Sequence, residues 1–155
     1  MRRAGSHLVC LLVLISALPC LAATGQVKKV LPHLLDLSGR HTRSPSLFDR
    51  DAYQAYLRLH PDQRSGIRFD IEWKAKGVEH PPLKLRVELR GVARGDLPTQ
   101  MNLETEVRPG KWFENWTGLT LKDEEYKKLG EVTAWRVTLW DGEHLLGEQK
   151  SFLWQ

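Results

Sequence analysis

The chain has 155 residues, with 23 lysines and arginines against 19 acidic residues, and 41% of it is hydrophobic. The formal charge of +4 falls to +2 without Arg2 and Arg3 of an N-terminal leader, because 21 basic residues then face 19 acidic ones. This balance and the lack of a basic cluster exclude nucleic acid as an expected partner.

The first 22 residues have the pattern of a secretory signal peptide. Two arginines precede the apolar run LVCLLVLISAL, which is about eleven residues long, whereas a membrane-spanning helix needs roughly 20. We therefore expect cleavage near Ala22 or Ala23 and a secreted or periplasmic product. No integral membrane segment is expected after cleavage.

Both cysteines, Cys10 and Cys20, fall inside this leader, so the mature chain has no thiol. We expect neither disulfides nor cysteine-based catalysis or metal binding. A lipid anchor on Cys20 is disfavoured because Leu18 and Pro19 fit a lipidation motif poorly. A mature chain of about 132 residues buries roughly two thirds of its surface, which suffices for one domain.

Residues 23–45 predict an N-terminal strand and then an irregular segment. The stretch VLPHLLDL is apolar enough for a strand ending at Ser38 and Gly39, and the polar RHTRSP follows it.

A helix is predicted over residues 46–60, at the start of the main domain, which spans residues 46–155. Ser46 with Asp49 forms a capping box, and Pro61 ends the helix. Apolar residues recur at helical spacing: Phe48, Ala52, Ala55, Tyr56 and Leu59. We expect this face to cover an edge or open end of a sheet. Alternatively, the charged face with Asp49, Arg50 and Arg58 contacts a partner.

The clearest signal is the alternation of IRFDIEWK and LKLRVELR, which predicts two strands, each with one buried and one solvated face. The predicted inward residues are Ile67, Phe69, Ile71, Trp73, Leu83, Leu85, Val87 and Leu89. MNLETEV and LTL predict further strands. KDEEYKKLG predicts a short helix ended by Gly130, and a hairpin about Asp141-Gly142 closes the chain.

These segments predict a mainly β fold: an antiparallel two-sheet sandwich with one covering N-terminal helix and a short helical crossover. From Ile67 to Trp154 the strand pattern resembles the immunoglobulin-like and fibronectin type III-like sandwiches. That resemblance implies a scaffold that presents loops or a sheet face. A small outer-membrane barrel is disfavoured, since the strands are short and the helix has no place in it.

KWFENWTG, residues 111–118, holds two tryptophans separated by four positions. If Leu119 and Leu121 point inward along a straight strand, Trp112, Glu114 and Trp116 face outward. Such a pair beside an acid suits sugar rings or a protein partner. The alternative is a bend or bulge that turns one indole into the core.

Two further motifs lie in predicted turns or strands. Arg94, Gly95 and Asp96 form a candidate adhesion loop, because fibronectin-type domains present a similar tripeptide to integrins, although glycine and aspartate are also ordinary turn residues. NWT at Asn115 is a glycosylation acceptor in a eukaryotic host, but the outward parity of Trp116 places Asn115 inward.

The sequence gives no catalytic set. Asp70 with Glu72 and Glu104 with Glu106 each share a solvated strand face. The histidines of the mature chain, at positions 33, 41, 60, 80 and 144, lack metal-site spacing, so neither metal nor cofactor is predicted.

We therefore expect a monomeric, non-catalytic module that binds another envelope or extracellular protein. One alternative is a small carbohydrate-binding module centred on Trp112 and Trp116. A second, minor alternative is a hydrolase whose site is assembled from loops.

Overall fold

The computed structural model describes residues 23–78, 81–110 and 115–155, and within them the chain forms two packed antiparallel sheets and two helices. The expected signal peptide, residues 1–22, lies outside the described residues. Neither helix in the described ranges has the length and apolar content to cross a bilayer.

The described residues form seven strands and two α-helices. In order the elements are β1 Thr24–Asp36, α1 Leu47–Leu59, β2 Arg64–Lys76, β3 Leu83–Ala93, β4 Leu97–Val107, β5 Asn115–Lys122, α2 Asp123–Leu129, β6 Glu131–Asp141 and β7 His144–Lys150. Sheet A has the strand order β1-β2-β5, and sheet B has the order β4-β3-β6-β7. The predicted two-sheet, mainly β architecture is confirmed.

The core lies between the two sheets, where the alternating positions of β2 and β3 face each other. All eight inward residues predicted from these strands are buried, and Leu121, Val137 and Leu139 join them from β5 and β6. Each large apolar side chain contributes about 1.5–3 kcal/mol by leaving water. The indole N–H of Trp73 donates to Thr117 Oγ1 at 2.9 Å, which satisfies its polar atom.

Two glycines let the sheet edges approach at one side of the sandwich. A Cβ on Gly147 of β7 would lie 2.8 Å from Gln26 Cα of β1, and one on Gly25 would lie 2.7 Å from Leu146 Cβ. Only residues without a side chain fit this approach.

The predicted helix over residues 46–60 is α1. The Ser46 hydroxyl accepts from the Asp49 N–H at 3.4 Å, and Pro61 starts a short 3₁₀ turn after the helix. The short helix and hairpin were also predicted correctly: α2 ends at Gly130, whose φ is 76°, and β6 turns into β7 at Gly142.

The prediction that the apolar stripe of α1 covers the sandwich is wrong. Phe48 is 81% exposed, Leu59 is 79% exposed and Tyr56 is 42% exposed; Ala52 and Ala55 are exposed as well. The helix packs instead through the opposite face, which comprises Tyr53, Gln54 and Leu57.

The hydrogen-bonding needs of β1 explain this orientation. β1 is an edge strand of sheet A, so some of its backbone groups point away from β2. The Gln54 carboxamide accepts from the Leu34 N–H at 2.8 Å and donates to the Leu34 carbonyl at 2.9 Å. It also donates to the His41 carbonyl at 2.8 Å. Gln54 therefore takes the place of a neighbouring strand, and it must face inward to do so.

Asp36, at the end of β1, fixes the segment that leads to α1. Its carboxylate accepts from Tyr53 Oη at 2.7 Å and from the backbone N–H groups of Ser38 and Arg40 at 2.8 and 2.9 Å. Burial alone would raise the pKa of Asp36, but these hydrogen bonds and the Arg40 charge outweigh it, so the pKa lies below its ordinary value.

Replacing Asp36 is expected to lower stability, because the buried Tyr53 hydroxyl and the N–H groups of Ser38 and Arg40 lose their acceptor. Asp36→Ala should reduce the free energy of unfolding by about 1–3 kcal/mol in urea titrations. Glu106→Ala, on an exposed position of β4, serves as the matched control and should change it little. Equal effects of the two substitutions would contradict the role given to Asp36.

The same carboxylate predicts a pH dependence. Because its pKa is lowered on folding, its stabilising contribution is complete above the ordinary value of 3.8 and is lost as the pH falls through the folded pKa. In Asp36→Asn, the free energy of unfolding, measured by urea titration at several pH values, should therefore fall less steeply than in the wild type as the pH drops below 3.8.

Candidate functional site

The outer face of sheet A carries the most distinctive surface of the described residues. β5 pairs with β2 so that Trp116 stands opposite Glu72 and Gly118 stands opposite Asp70. Arg68 lies two residues before Asp70 on the same face. We call this set the indole platform: Trp116, Glu72, Gly118, Asp70 and Arg68.

Gly118 makes room for the ion pair of Arg68 and Asp70. A Cβ at this position would lie 2.9 Å from Arg68 Nη2 and 3.2 Å from Asp70 Oδ1, so these side chains rest directly over the glycine backbone. Trp116 is the next outward residue on β5, roughly 6.6 Å away at 3.3 Å per residue. Its side chain is 52% exposed beside this ion pair.

The charges of the indole platform are paired. Arg68 Nε donates to Asp70 Oδ1 at 2.8 Å, and Lys28 Nζ lies 3.7 Å from Glu72 Oε1. The platform is thus an exposed aromatic ring surrounded by balanced charges, not a field of one sign.

His33 of β1 is a buried residue that stands opposite Arg68, on the same sheet face as the indole platform. Its Nε2 lies 3.7 Å from Asp70 Oδ2, and its ring centroid lies 5.1 Å from that of His41. Burial lowers the pKa of His33, and the positive charges of Arg50 and Arg68, together with His41, lower it further against the opposing effect of Asp70. A neutral imidazole is therefore favoured at this position.

The outward parity predicted for Trp116 agrees with its position in β5. Trp112 and Glu114 lie within residues 111–114, outside the described residues. Asn115 pairs with Trp73 on the inward-facing side of β5 and is half-buried, and its Oδ1 accepts from the Gly110 N–H at 2.8 Å.

The predicted adhesion tripeptide forms the exposed turn between β3 and β4. Arg94, Gly95 and Asp96 are all exposed, and Gly95 and Asp96 have φ values of 83° and 57°. The backbone here makes a tight hairpin turn, which ordinary turn chemistry explains.

The acidic and histidine side chains of the described residues are the groups that could serve as metal ligands or ion-pair partners. The described residues contain no group of three or more histidine, aspartate or glutamate side chains that could hold a metal ion. Glu104 lies within 2.5 Å of Arg86 Nε, so it is engaged in a surface ion pair. A cavity of about 250 Å³ opens between β1 and β6, and its ionisable lining residues are Arg58, Tyr126 and Glu131. His80 lies outside the described residues.

Two other tryptophans prove to be less available than Trp116. Trp140 is half-buried on the outer side of sheet B, and its Nε1 is buried without a hydrogen-bond partner in the described part of the chain. Trp154 is half-buried, with the Arg90 guanidinium carbon 4.2 Å from its ring centroid.

Sequence reasoning missed Arg68 and Gly118 as parts of one surface. The alternation of β2 indicates that Arg68, Asp70 and Glu72 share a solvated face, but the register with β5 depends on long-range pairing. That pairing is what brings Gly118 under the ion pair.

Comparison with known proteins finds no matching family model, no similar curated protein and no similar solved structure. The candidate surface therefore rests on its own geometry.

The environment of His33 predicts a low titration midpoint. Because the pKa is lowered on folding, the unfolded chain takes up a proton first, so acidification below the ordinary value of 6.5 should reduce stability. NMR titration should place the midpoint of His33 below 6.5, with the signal assigned by its loss in His33→Gln. A midpoint at or above 6.5 would show that Asp70 dominates instead.

Proposed function

We propose that this chain is an exported, non-catalytic binding module that contacts another envelope or extracellular protein through the indole platform. The observation that carries the proposal is the half-exposed Trp116, whose outward neighbours on β2 and β5 are polar residues and a glycine. Covering this exposed indole with a partner removes apolar surface from water, which stabilises the complex.

The surroundings of Trp116 favour a protein partner. Tryptophan and arginine are enriched among the residues that dominate protein–protein affinity, and such anchors are ringed by polar contacts that exclude water. Arg68 supplies the guanidinium, and the ion pairs of Asp70 and Glu72 supply a neutral rim. A partner therefore covers the indole without leaving a lone charge buried.

The strand order supports an immunoglobulin-like or fibronectin type III-like assignment. In the usual labels, β1-β2-β5 corresponds to strands A, B and E, and β4-β3-β6-β7 corresponds to C′, C, F and G. Domains of this architecture serve many functions, so the proposed function depends on the platform and not on the fold.

A carbohydrate ligand is the second candidate. The indole offers a face for a sugar ring, and the carboxylates of Asp70 and Glu72 on the same sheet face retain lone pairs for sugar hydroxyls. This candidate adds Trp112 as a second stacking ring, and that residue lies outside the described residues. The protein partner ranks first because Arg68 and paired charges surround the single described indole.

Affinity capture with the mature chain tests the proposal. Wild-type bait should retain a specific protein from envelope or extracellular extracts, and Trp116→Ala should weaken binding of the purified protein by about 30-fold or more, as expected for a hot-spot residue. Phe152→Ala removes an aromatic ring that is 94% exposed beyond β7, outside the platform, and serves as the matched control.

The same variants separate the two candidates. If a glycan changes tryptophan fluorescence in the wild type and in Phe152→Ala but not in Trp116→Ala, the ligand of the indole platform is a carbohydrate and not a protein. Binding that survives Trp116→Ala unchanged, for protein and glycans alike, would refute the platform.

A further inference from the structure

The outward face of α1 forms a straight apolar seam. Phe48, Ala52, Ala55 and Leu59 are separated by four, three and four residues, which is the spacing that keeps side chains in line on a helix surface. We call these four residues the α1 seam. They lie opposite the packed face of Tyr53, Gln54 and Leu57, and all four are exposed.

The spacing of the α1 seam reads the same from either end. If a second helix of the same sequence lies antiparallel to it, Phe48 meets Leu59 of the second copy and Ala52 meets Ala55. The two alanines at the centre allow the helix backbones to approach, and the larger side chains close the ends. We propose that two copies of this chain associate through α1, antiparallel about a twofold axis.

The residues beside the seam fit the same arrangement. Asp51 and Arg58 flank one side, and Asp49 and Tyr56 flank the other. In an antiparallel pair, the side of the first helix that carries Asp51 and Arg58 faces the same side of the second helix. Arg58 of the second copy is then level with residue 49, which is two residues, or about 3 Å along the axis, from Asp51. Twofold symmetry repeats this ion pair. Asp51 is available for it, since its side chain is 75% exposed despite a 3.5 Å contact with Arg50 Nε.

The parallel arrangement is less favourable. In a parallel pair, the side of one helix that carries Asp49 faces the side of the other that carries Asp51. This would bring the two aspartates close together, and like charges repel. In the antiparallel pair Asp49 instead lies near the Tyr56 hydroxyl of the second copy. A surface depression of about 470 Å³, lined by Asp49, Ala52, Tyr53 and Tyr56 among others, leaves room for that ring.

The charges of α1 also favour a second copy over a lipid surface. Helices that lie on membranes carry many lysines and arginines on the polar face. α1 has no lysine, and its exposed flanks carry Asp49, Asp51 and Arg58, so acidic residues outnumber basic ones there.

The small contact area of the α1 seam indicates a weak dimer. A 13-residue helix is about 20 Å long, and two such helices bury less area than the roughly 800 Å² per partner of a standard interface. The dimer should therefore be reversible, with a dissociation constant on the order of tens to hundreds of micromolar. At low concentration the chain would remain the monomer expected from the sequence.

Sedimentation equilibrium of the mature chain over about 5 µM to 1 mM tests this pairing. The average mass should rise towards that of two chains. Asp51→Arg and Arg58→Asp should each weaken association at least tenfold, because each creates a repulsive pair, and the double reversal should restore it. Leu59→Arg should abolish association, whereas Phe152→Ala should leave it unchanged.

A single-chain mass at every concentration would overturn the proposal. So would a double reversal that associates no better than either single reversal, provided thermal unfolding shows that each variant is folded. A third outcome is a chain that stays monomeric but binds vesicles of anionic lipid. If Leu59→Arg abolishes that binding, the partner of the α1 seam is a membrane surface and not a second copy. Trp116→Ala is expected to dimerise normally, so failure of the platform proposal leaves this one standing.

Discussion

The unpaired edge of β1 determines how the N-terminal half of the molecule is arranged. Gln54 supplies both hydrogen bonds that a neighbouring strand would give to Leu34, and Tyr53 supplies one to Asp36. Because unsatisfied backbone groups are costly to bury, the helix turns the face with Tyr53, Gln54 and Leu57 inward. Its apolar seam consequently faces solvent. The exposed seam is thus the consequence of a requirement elsewhere in the fold.

The core was predictable because its information is local. Alternation at every second residue assigned Ile67 to Trp73 and Leu83 to Leu89 to the buried faces of two strands, and the structure places them there. The helix boundaries also followed from Ser46 and Pro61. The inward face of α1 did not follow, since hydrophobic periodicity assumes that a helix packs by its apolar side, whereas Gln54 and Tyr53 pack here through hydrogen bonds.

The candidate surface was only partly predictable for a related reason. Parity along β5 indicated that Trp116 faces outward, but the register of β5 with β2 is a long-range property that no short pattern encodes. Only that register places Gly118 beneath Arg68 and Asp70. His33 then links the platform to the segment beside α1 through Asp70. Both proposed contact surfaces therefore depend on sheet A, whereas sheet B completes the core.

The orientation of α1 is tested most directly by thiol labelling. Residues 23–155 contain no cysteine, so in a chain of these residues Leu57→Cys and Leu59→Cys each introduce a unique thiol on the same helix, two residues apart. Leu57 is fully buried and Leu59 is 79% exposed. In dilute solution the thiol at position 59 should react with a maleimide as fast as an unfolded control, and the thiol at position 57 should be strongly protected. Rapid labelling at 57 with protection at 59 would contradict the account.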